Sequence, residues 1–283
     1  MPTPPRPPQS PRSPTPPRAP SIPRLNLAPI RPRESVAADT LTTRRGDPLP
    51  PFVRWDVFMA GWKWKPGEHL TTIGPTGSGK TVLNRYLLRR RRFVIVLGVK
   101  NRDVELYGPF QQDGYKLVHS FNIDQDSEDE DPKILYVPRT EKHGADGRTE
   151  RTKKFRRALN DIEDAAPARD GENWTLYADD VRYMADQLRL RTDFEEIWIK
   201  GRSEGLTMVA SSQEPVDIPV MAYGQASHVF LFRNLDRVRV KRMAELTGAN
   251  REVAETSILA LAPHEFLYIN RDSGQMLRSI VIR

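Results

Sequence analysis

The chain has 283 residues, a formal net charge of +7 and no cysteine. That length holds one substantial α/β domain with appendages. The missing cysteines exclude disulfides and thiolate metal sites, and the scattered histidines form no zinc pattern. No apolar run approaches the roughly 18 residues that a membrane-spanning helix needs, and the N-terminus lacks the apolar core of a signal peptide. The expectation is a soluble, cytoplasmic protein with no membrane anchor.

The charge is uneven. Arg6, Arg12, Arg18, Arg24, Arg31 and Arg33 fall in residues 1–33 with no acid among them, so only +1 remains from Glu34 onward. Sixteen of the 25 prolines lie within residues 1–51, a density that forbids helix or sheet ladder. Pro-Arg recurs at 5–6, 11–12, 17–18 and 23–24, a period of six. Polyproline II has three residues per turn, so this period stacks the arginines along one side of an extended rod. Residues 1–50 are therefore expected to be a disordered Pro/Arg-rich tail. It is either a cationic arm for nucleic acid or a partner's groove, or a leader without a fixed role. Residues 51–283 form the folded domain.

Phe52 to Trp64 brings aromatic residues at core-like density, and the alternation of Trp62 and Trp64 predicts a half-buried strand. Core packing is the preferred role of these rings, with stacking on an adenine base as the other reading. After the Pro66-Gly67 turn, His69–Ile73 reads as a strand. It feeds Gly74-Pro75-Thr76-Gly77-Ser78-Gly79-Lys80-Thr81, which fits the phosphate-loop pattern G-x-x-x-x-G-K-[ST] at every fixed position. Gly77 and Gly79 let the backbone curl so that several N–H groups point inward, and the following helix, expected over 82–91, adds its positive dipole end. Lys80 is placed to reach the β- and γ-phosphates of ATP and Thr81 to ligate Mg²⁺.

Arg89 to Arg92 close that helix. Cations there complement the helix dipole, a reading preferred over DNA binding. Phe93–Leu97 is a continuous apolar run of the buried parallel-strand kind, followed by a polar turn from Gly98 to Asp103. Residues 111–132 are less regular. Short strands are expected at Lys116–Phe121 and Lys133–Val137, joined by an acidic loop at 124–131 with six acids in eight positions. Thr149 to Glu163 predicts a basic amphipathic helix with Phe155, Leu159 and Ile162 on one face.

Asn173 to Asp180 is an apolar strand ending in two carboxylates, the Walker B form. Asp179 is the expected Mg²⁺ partner, and Asp180 the acid that polarises the attacking water. A helix at Phe194–Lys200, a Gly201–Gly205 turn and a strand at Leu206–Ala210 lead to Gln213. This amide at a strand tip is suited to sensing the γ-phosphate or orienting water. A strand at His228–Phe232, a helix at Asp236–Thr247, and a hairpin of Phe266–Asn270 with Met276–Ile282 close the chain.

GPTGSGKT, LYADD and GRSEGLTMVASSQEP together resemble the FtsK/HerA superfamily of ring-forming DNA pumps, as does the strand ending at Leu97-Gly-Val-Lys100. The likeness covers about residues 55–235. It departs from the family at Asp180, where glutamate is usual, and at Glu214, where arginine is common in the DNA translocases. The resemblance implies an α/β P-loop NTPase of the ASCE/RecA-like type, with a mainly parallel central sheet flanked by helices and a C-terminal β-hairpin. It also implies ATP and Mg²⁺ as cofactors, a homo-oligomeric ring that is a hexamer, DNA at its centre, and an arginine finger from the neighbouring subunit. Arg202 is the first candidate for that finger, with Arg233 and Arg237 behind it.

Compactness brings the chain nearest to the genome-packaging ATPases of DNA viruses, which places it in host cytoplasm or virion with the tail docking on capsid, portal or DNA. Other cargo settings of the same superfamily are plasmid transfer, chromosome segregation and DNA end-processing. A reading of a different class is a nucleotide-switched assembly scaffold of the filamentous-phage extrusion type.

Overall fold

The computed structural model describes residues 42–120, 132–164, 172–216 and 218–282. The arginine-proline repeat and the acidic run at 124–131 lie outside them. Described structure already packs ahead of position 51: the Arg278 Nε donates to the Pro50 carbonyl at 2.9 Å, and Arg45 pairs with Glu252 at 3.0 Å.

Among the described residues, nine strands form one sheet. In chain order they are β1 (His69–Ile73), β2 (Val94–Leu97), β3 (Lys116–Val118), β4 (Lys133–Tyr136), β5 (Thr175–Ala178), β6 (Thr207–Ser212), β7 (Ala226–Phe232), β8 (Glu265–Asn270) and β9 (Met276–Ile280). Their spatial order is β3-β4-β2-β5-β6-β1-β7-β8-β9. Every pairing from β3 through β7 is parallel, and β8 and β9 add an antiparallel hairpin at the edge.

The inner strands are apolar without interruption because both faces are covered. Alternate residues divide between two cores. Val94, Val96, Leu135, Tyr177, Val209, Phe230 and Phe232 pack beneath α1 (Trp55–Gly61), α2 (Lys80–Leu88) and α3 (Val104–Gln112). Ile95, Leu97, Ile134, Leu176, Met208, Val229 and Leu231 face the opposite layer. That layer holds α4 (Gly144–Asp164), α5 (Val181–Asp186), α6 (Arg191–Glu204), α7 (Met221–Gly224), α8 (Arg237–Leu246) and α9 (Arg251–Ala260). Phe155, Leu159 and Ile162 are the buried stripe of α4, as their spacing predicts.

Several local expectations need correction. The Trp62–Trp64 stretch is not a strand: α1 occupies residues 55–61, and Trp62 leaves it in an extended conformation without a ladder. The core role of its ring stands, since Trp62 packs edge-on against Phe230 and His228. Residues 201–204 are helical, because α6 continues until Gly205 adopts the left-handed conformation that ends it.

Arg89, Arg90 and Arg91 are tied to groups elsewhere in the protein. Arg90 donates to the Trp62 and Met59 carbonyls at the end of α1, Arg89 joins Arg85 on Asp113, and Arg91 stacks 4.0 Å from the centre of Trp64. Burial of Arg91 lowers its pKa to about 10.

His69 opens β1 fully buried. Its Nδ1 accepts from the Met208 amide at 3.0 Å, so the ring proton sits on Nε2 and is donated to the Trp198 carbonyl at 3.1 Å. Burial pushes its pKa from 6.5 down to about 4. The folded value lies below the unfolded one, so the unfolded chain takes up the proton first. Stability is therefore retained above pH 6.5 and lost as pH falls toward about 4. Unfolding free energies from urea titrations between pH 8 and 5 are expected to lose this group's contribution only below about 6.5, by up to ~1.4 kcal/mol per pH unit. A His69→Gln chain is expected to show a shallower acid slope, and an unchanged slope would exclude this origin.

Candidate active site

β1 ends where the phosphate loop begins, and the loop's shape is imposed by one close approach and one left-handed glycine. A Cβ on Gly74 would lie 2.5 Å from the Cβ of Phe232 on the neighbouring strand, so no side chain fits there. Gly79 has φ +110, a conformation that admits glycine almost alone, and it delivers Lys80 directly into the first turn of α2. The Lys80 Nζ donates to the Gly74 carbonyl at 2.6 Å and the Pro75 carbonyl at 3.0 Å. Burial lowers its pKa to about 8, opposed by the nearby Asp179 and Asp180 carboxylates.

The twin carboxylates arrive from β5, one strand beyond β6. Ala178 is level with Ala210, and Ala210 is level with Thr71, so β5 ends two residues short of the ends of β6 and β1, and its carboxylates flank their tips. Asp179 Oδ1 accepts from the Thr81 hydroxyl at 3.2 Å and from the Tyr177 hydroxyl. Burial raises the Asp179 pKa, against the pull of those two bonds and of Lys80. Asp180 caps α5, accepting from the Tyr183 amide at 3.1 Å, and this fixes the direction of its carboxylate.

The tip of β6 closes the arrangement. The Ser212 hydroxyl donates to the Glu214 carbonyl at 2.9 Å and accepts from the Glu214 amide at 3.2 Å, which holds the turn around Gln213. The Gln213 Oε1 accepts from the Thr76 hydroxyl of the phosphate loop at 2.8 Å. Asp179, Asp180, Gln213, Lys100 and Tyr107 line a cavity of about 50 Å³. Lys100 is held by Asp103 at 2.9 Å, an interaction that raises its pKa. Asp103 and Tyr107, which belong to the helix the sequence did not announce, are the residues of this cavity that sequence reasoning missed.

The oxygen set suits Mg²⁺. Thr81 and Asp179 contribute adjacent hard oxygens, and no group of three or more His, Asp or Glu side chains able to hold a metal occurs among the described residues. A hexacoordinate Mg²⁺ held by one carboxylate, one hydroxyl, phosphate oxygens and waters matches that supply.

No protein-family model and no curated protein matches the sequence. Solved structures do. The genome packaging NTPase B204 from Sulfolobus turreted icosahedral virus 2, in complex with sulfate, is similar with a TM-score of 0.57 and 16% identity, over 78% of this chain and 99% of that one. The chain shares the α/β fold of this NTPase. B204 from Sulfolobus turreted icosahedral virus, a DNA-packaging ATPase, gives 0.57 at 18% identity over 78% and 100% of the two chains. VirB4 of Thermoanaerobacter pseudethanolicus gives 0.56 at 10% identity over 76% and 89%. At these identities the likeness is one of fold.

Within this fold, residues 74–81, Asp179, Asp180 and Gln213 converge, and of the three arginines considered as fingers Arg233 borders the loop while Arg202 lies away from it. Arg202 lies at the end of α6, against Gly67 at the far end of β1 from the phosphate loop, and its nearest acid is Asp272 at 3.8 Å. Arg233 follows β7 and stands beside this chain's own loop. Arg237 opens α8 and is exposed.

If Gln213 positions the reacting water, removing it should slow chemistry without loosening nucleotide. Gln213→Ala is expected to bind ATP within a few-fold of the parent while single-turnover hydrolysis falls about 10²–10³-fold, the effect of losing one well-aimed polar group. Unchanged single-turnover rates would remove Gln213 from the catalytic set.

Proposed function

We propose that this chain hydrolyses ATP within a hexameric ring of its own copies and uses the energy to move DNA, as in viral genome packaging. The observation that carries the ATPase reading is the convergence of Lys80, Thr81, Asp179, Asp180 and Gln213 at one end of β1, β5 and β6. B204, whose fold it shares, is also known in complex with AMPPCP.

Lys80 exchanges the Gly74 and Pro75 carbonyls for β- and γ-phosphate oxygens, and the loop amides cradle the phosphate chain. Thr81 and Asp179 would hold Mg²⁺, which when bound would supply positive charge against the phosphate oxygens. Asp180 accepts a proton from water as the water oxygen bonds to the γ-phosphorus and the bond to the β-phosphate oxygen breaks, releasing ADP. Gln213 orients that water, and its bond to Thr76 links the strand tip to the loop that senses the phosphate. Arg202, exposed and remote from its own loop, serves as a finger in the neighbour's site.

Support for DNA as cargo comes from charge placement. Segments 99–105 and 138–157 carry ten Lys/Arg against five Asp/Glu, a net +5, whereas residues 34–283 as a whole carry only +1. Arg151 donates to Asn101 at 2.9 Å, which joins the two segments beside the catalytic carboxylates. Arg102, Arg139 and Arg148 stand exposed on that surface. The expected outcome is ATPase stimulated by duplex DNA, with binding that weakens steeply with salt. Replacing Arg102, Arg139 and Arg148 by Gln should lower the log K against log salt slope by about 0.9 for each phosphate that is no longer neutralised. An ATPase indifferent to DNA at low salt would sink the cargo assignment and leave the hydrolytic one standing.

A further inference from the structure

On β5 the residue two before Asp179 is a tyrosine. Tyr177 is fully buried, and the residues level with it on the flanking strands are Val96 and Val209. Its ring lies 5.9 Å from that of Phe110 on α3. Phenylalanine would make the same ring contacts, and a hydroxyl taken out of water is costly unless it is hydrogen-bonded. This one is: it donates to Asp179 Oδ1, and the Asn84 amide and the Thr81 hydroxyl also reach it.

We propose that Tyr177 is a positioning residue, whose hydroxyl fixes the Asp179 carboxylate in the plane that Mg²⁺ requires; this rests on the ATPase reading above. Residues two apart along a strand project from the same face. Tyr177 and Asp179 therefore both point toward α2, where Thr81 lies, and the ring reaches along the strand to the carboxylate. Two donors from different elements meet on one oxygen, Oδ1. With Thr81 alone the carboxylate could swing about its Cβ–Cγ bond. The second donor fixes Oδ1 and with it the carboxylate plane, which leaves Oδ2 available to a metal ion or to water on it.

The hydroxyl is itself held from behind. Asn84, fully buried on α2, donates through Nδ2 to the Thr72 hydroxyl at 2.9 Å, and that hydroxyl donates to the Ala210 carbonyl at 3.4 Å. A buried chain of polar groups thus runs from β6 through β1 and α2 to the carboxylate. Mg²⁺ demands near-ideal octahedral geometry and sheds its water reluctantly, so it is sensitive to how a carboxylate is turned. Groups that hydrogen-bond to a metal's ligands matter by about 10–100-fold in affinity or activity.

The test is the affinity of the full chain for the non-hydrolysable analogue AMPPCP, measured by calorimetry with saturating Mg²⁺ and again in EDTA. Tyr177→Phe removes the hydroxyl and keeps the ring. It is expected to cut the gain in affinity that Mg²⁺ confers by about tenfold, while affinity in EDTA stays within about twofold of the parent's. Phe110→Leu disturbs the packing of the ring and leaves the hydroxyl, so its gain should stay near the parent's. An unchanged gain in Tyr177→Phe would overturn the role, as would an equal loss in both buffers, the mark of a merely structural effect. A matching reduction in Phe110→Leu would overturn it too. A parent that binds AMPPCP equally in both buffers would overturn the metal assignment of Thr81 and Asp179, and one that binds it in neither would overturn the ATPase reading itself.

Discussion

The parallel register of β5, β6 and β1 is the constraint on which the catalytic end depends. Thr81 and Asp179 are 98 residues apart in sequence, yet their oxygens come within 3.2 Å. They do so because β6 lies between the two strands and aligns Ala178 with Thr71 through Ala210. A slip of one residue on β5 would turn Asp179 toward the opposite face. The uninterrupted apolar content of these strands fixes their depth in the sheet, and the polar residues follow immediately after it. Catalytic geometry is thus a by-product of where the hydrophobic runs stop.

The two ends of the sheet do different work. At the carboxyl ends, partly desolvated groups are held in reserve: Lys80 has its pKa lowered by burial, and Asp179 has its pKa raised by burial. Charge placed in a region of low dielectric acts more strongly on a phosphate than it would in water. At the amino ends, two buried histidines are hydrogen-bonded through both ring nitrogens. His69 bridges β6 and α6, and His228 lies between Glu68 and Tyr268 at 3.1 and 2.9 Å. The aromatic packing of Phe58, Phe230, Phe266 and Tyr268 locks α1 over the antiparallel hairpin. That end supplies rigidity, and the phosphate loop is anchored to it through β1.

Much of this was legible in the sequence. The span His69–Ile73 is the strand that the pattern announces, and the phosphate loop and the Walker B acids are local motifs whose chemistry travels with their spacing. What escaped was structure decided at a distance. Residues 104–112 contain Gly108 and Pro109, which argue against helix, but Asp103 caps the segment and Tyr107 and Phe110 bury it. α9 was legible in principle from its Asn250 cap and the spacing of Val253, Ala254, Ser257 and Ile258. The arginines at 89–92 declared their charge and not their partners, which include carbonyls from another helix. The cavity beside the loop draws on three segments, 75–78, 233–236 and 263–264, that are far apart in sequence, so no local pattern marks it.

The account stands on a division of labour between the cradle lysine, which holds nucleotide, and the second aspartate, which turns it over. Measuring ATP affinity and steady-state hydrolysis for Lys80→Ala and Asp180→Asn tests that division directly. Lys80→Ala is expected to lose ATP binding, while Asp180→Asn binds ATP nearly as the parent does and hydrolyses it about 10²–10⁴-fold more slowly. Turnover by Asp180→Asn at the parent's rate would contradict it.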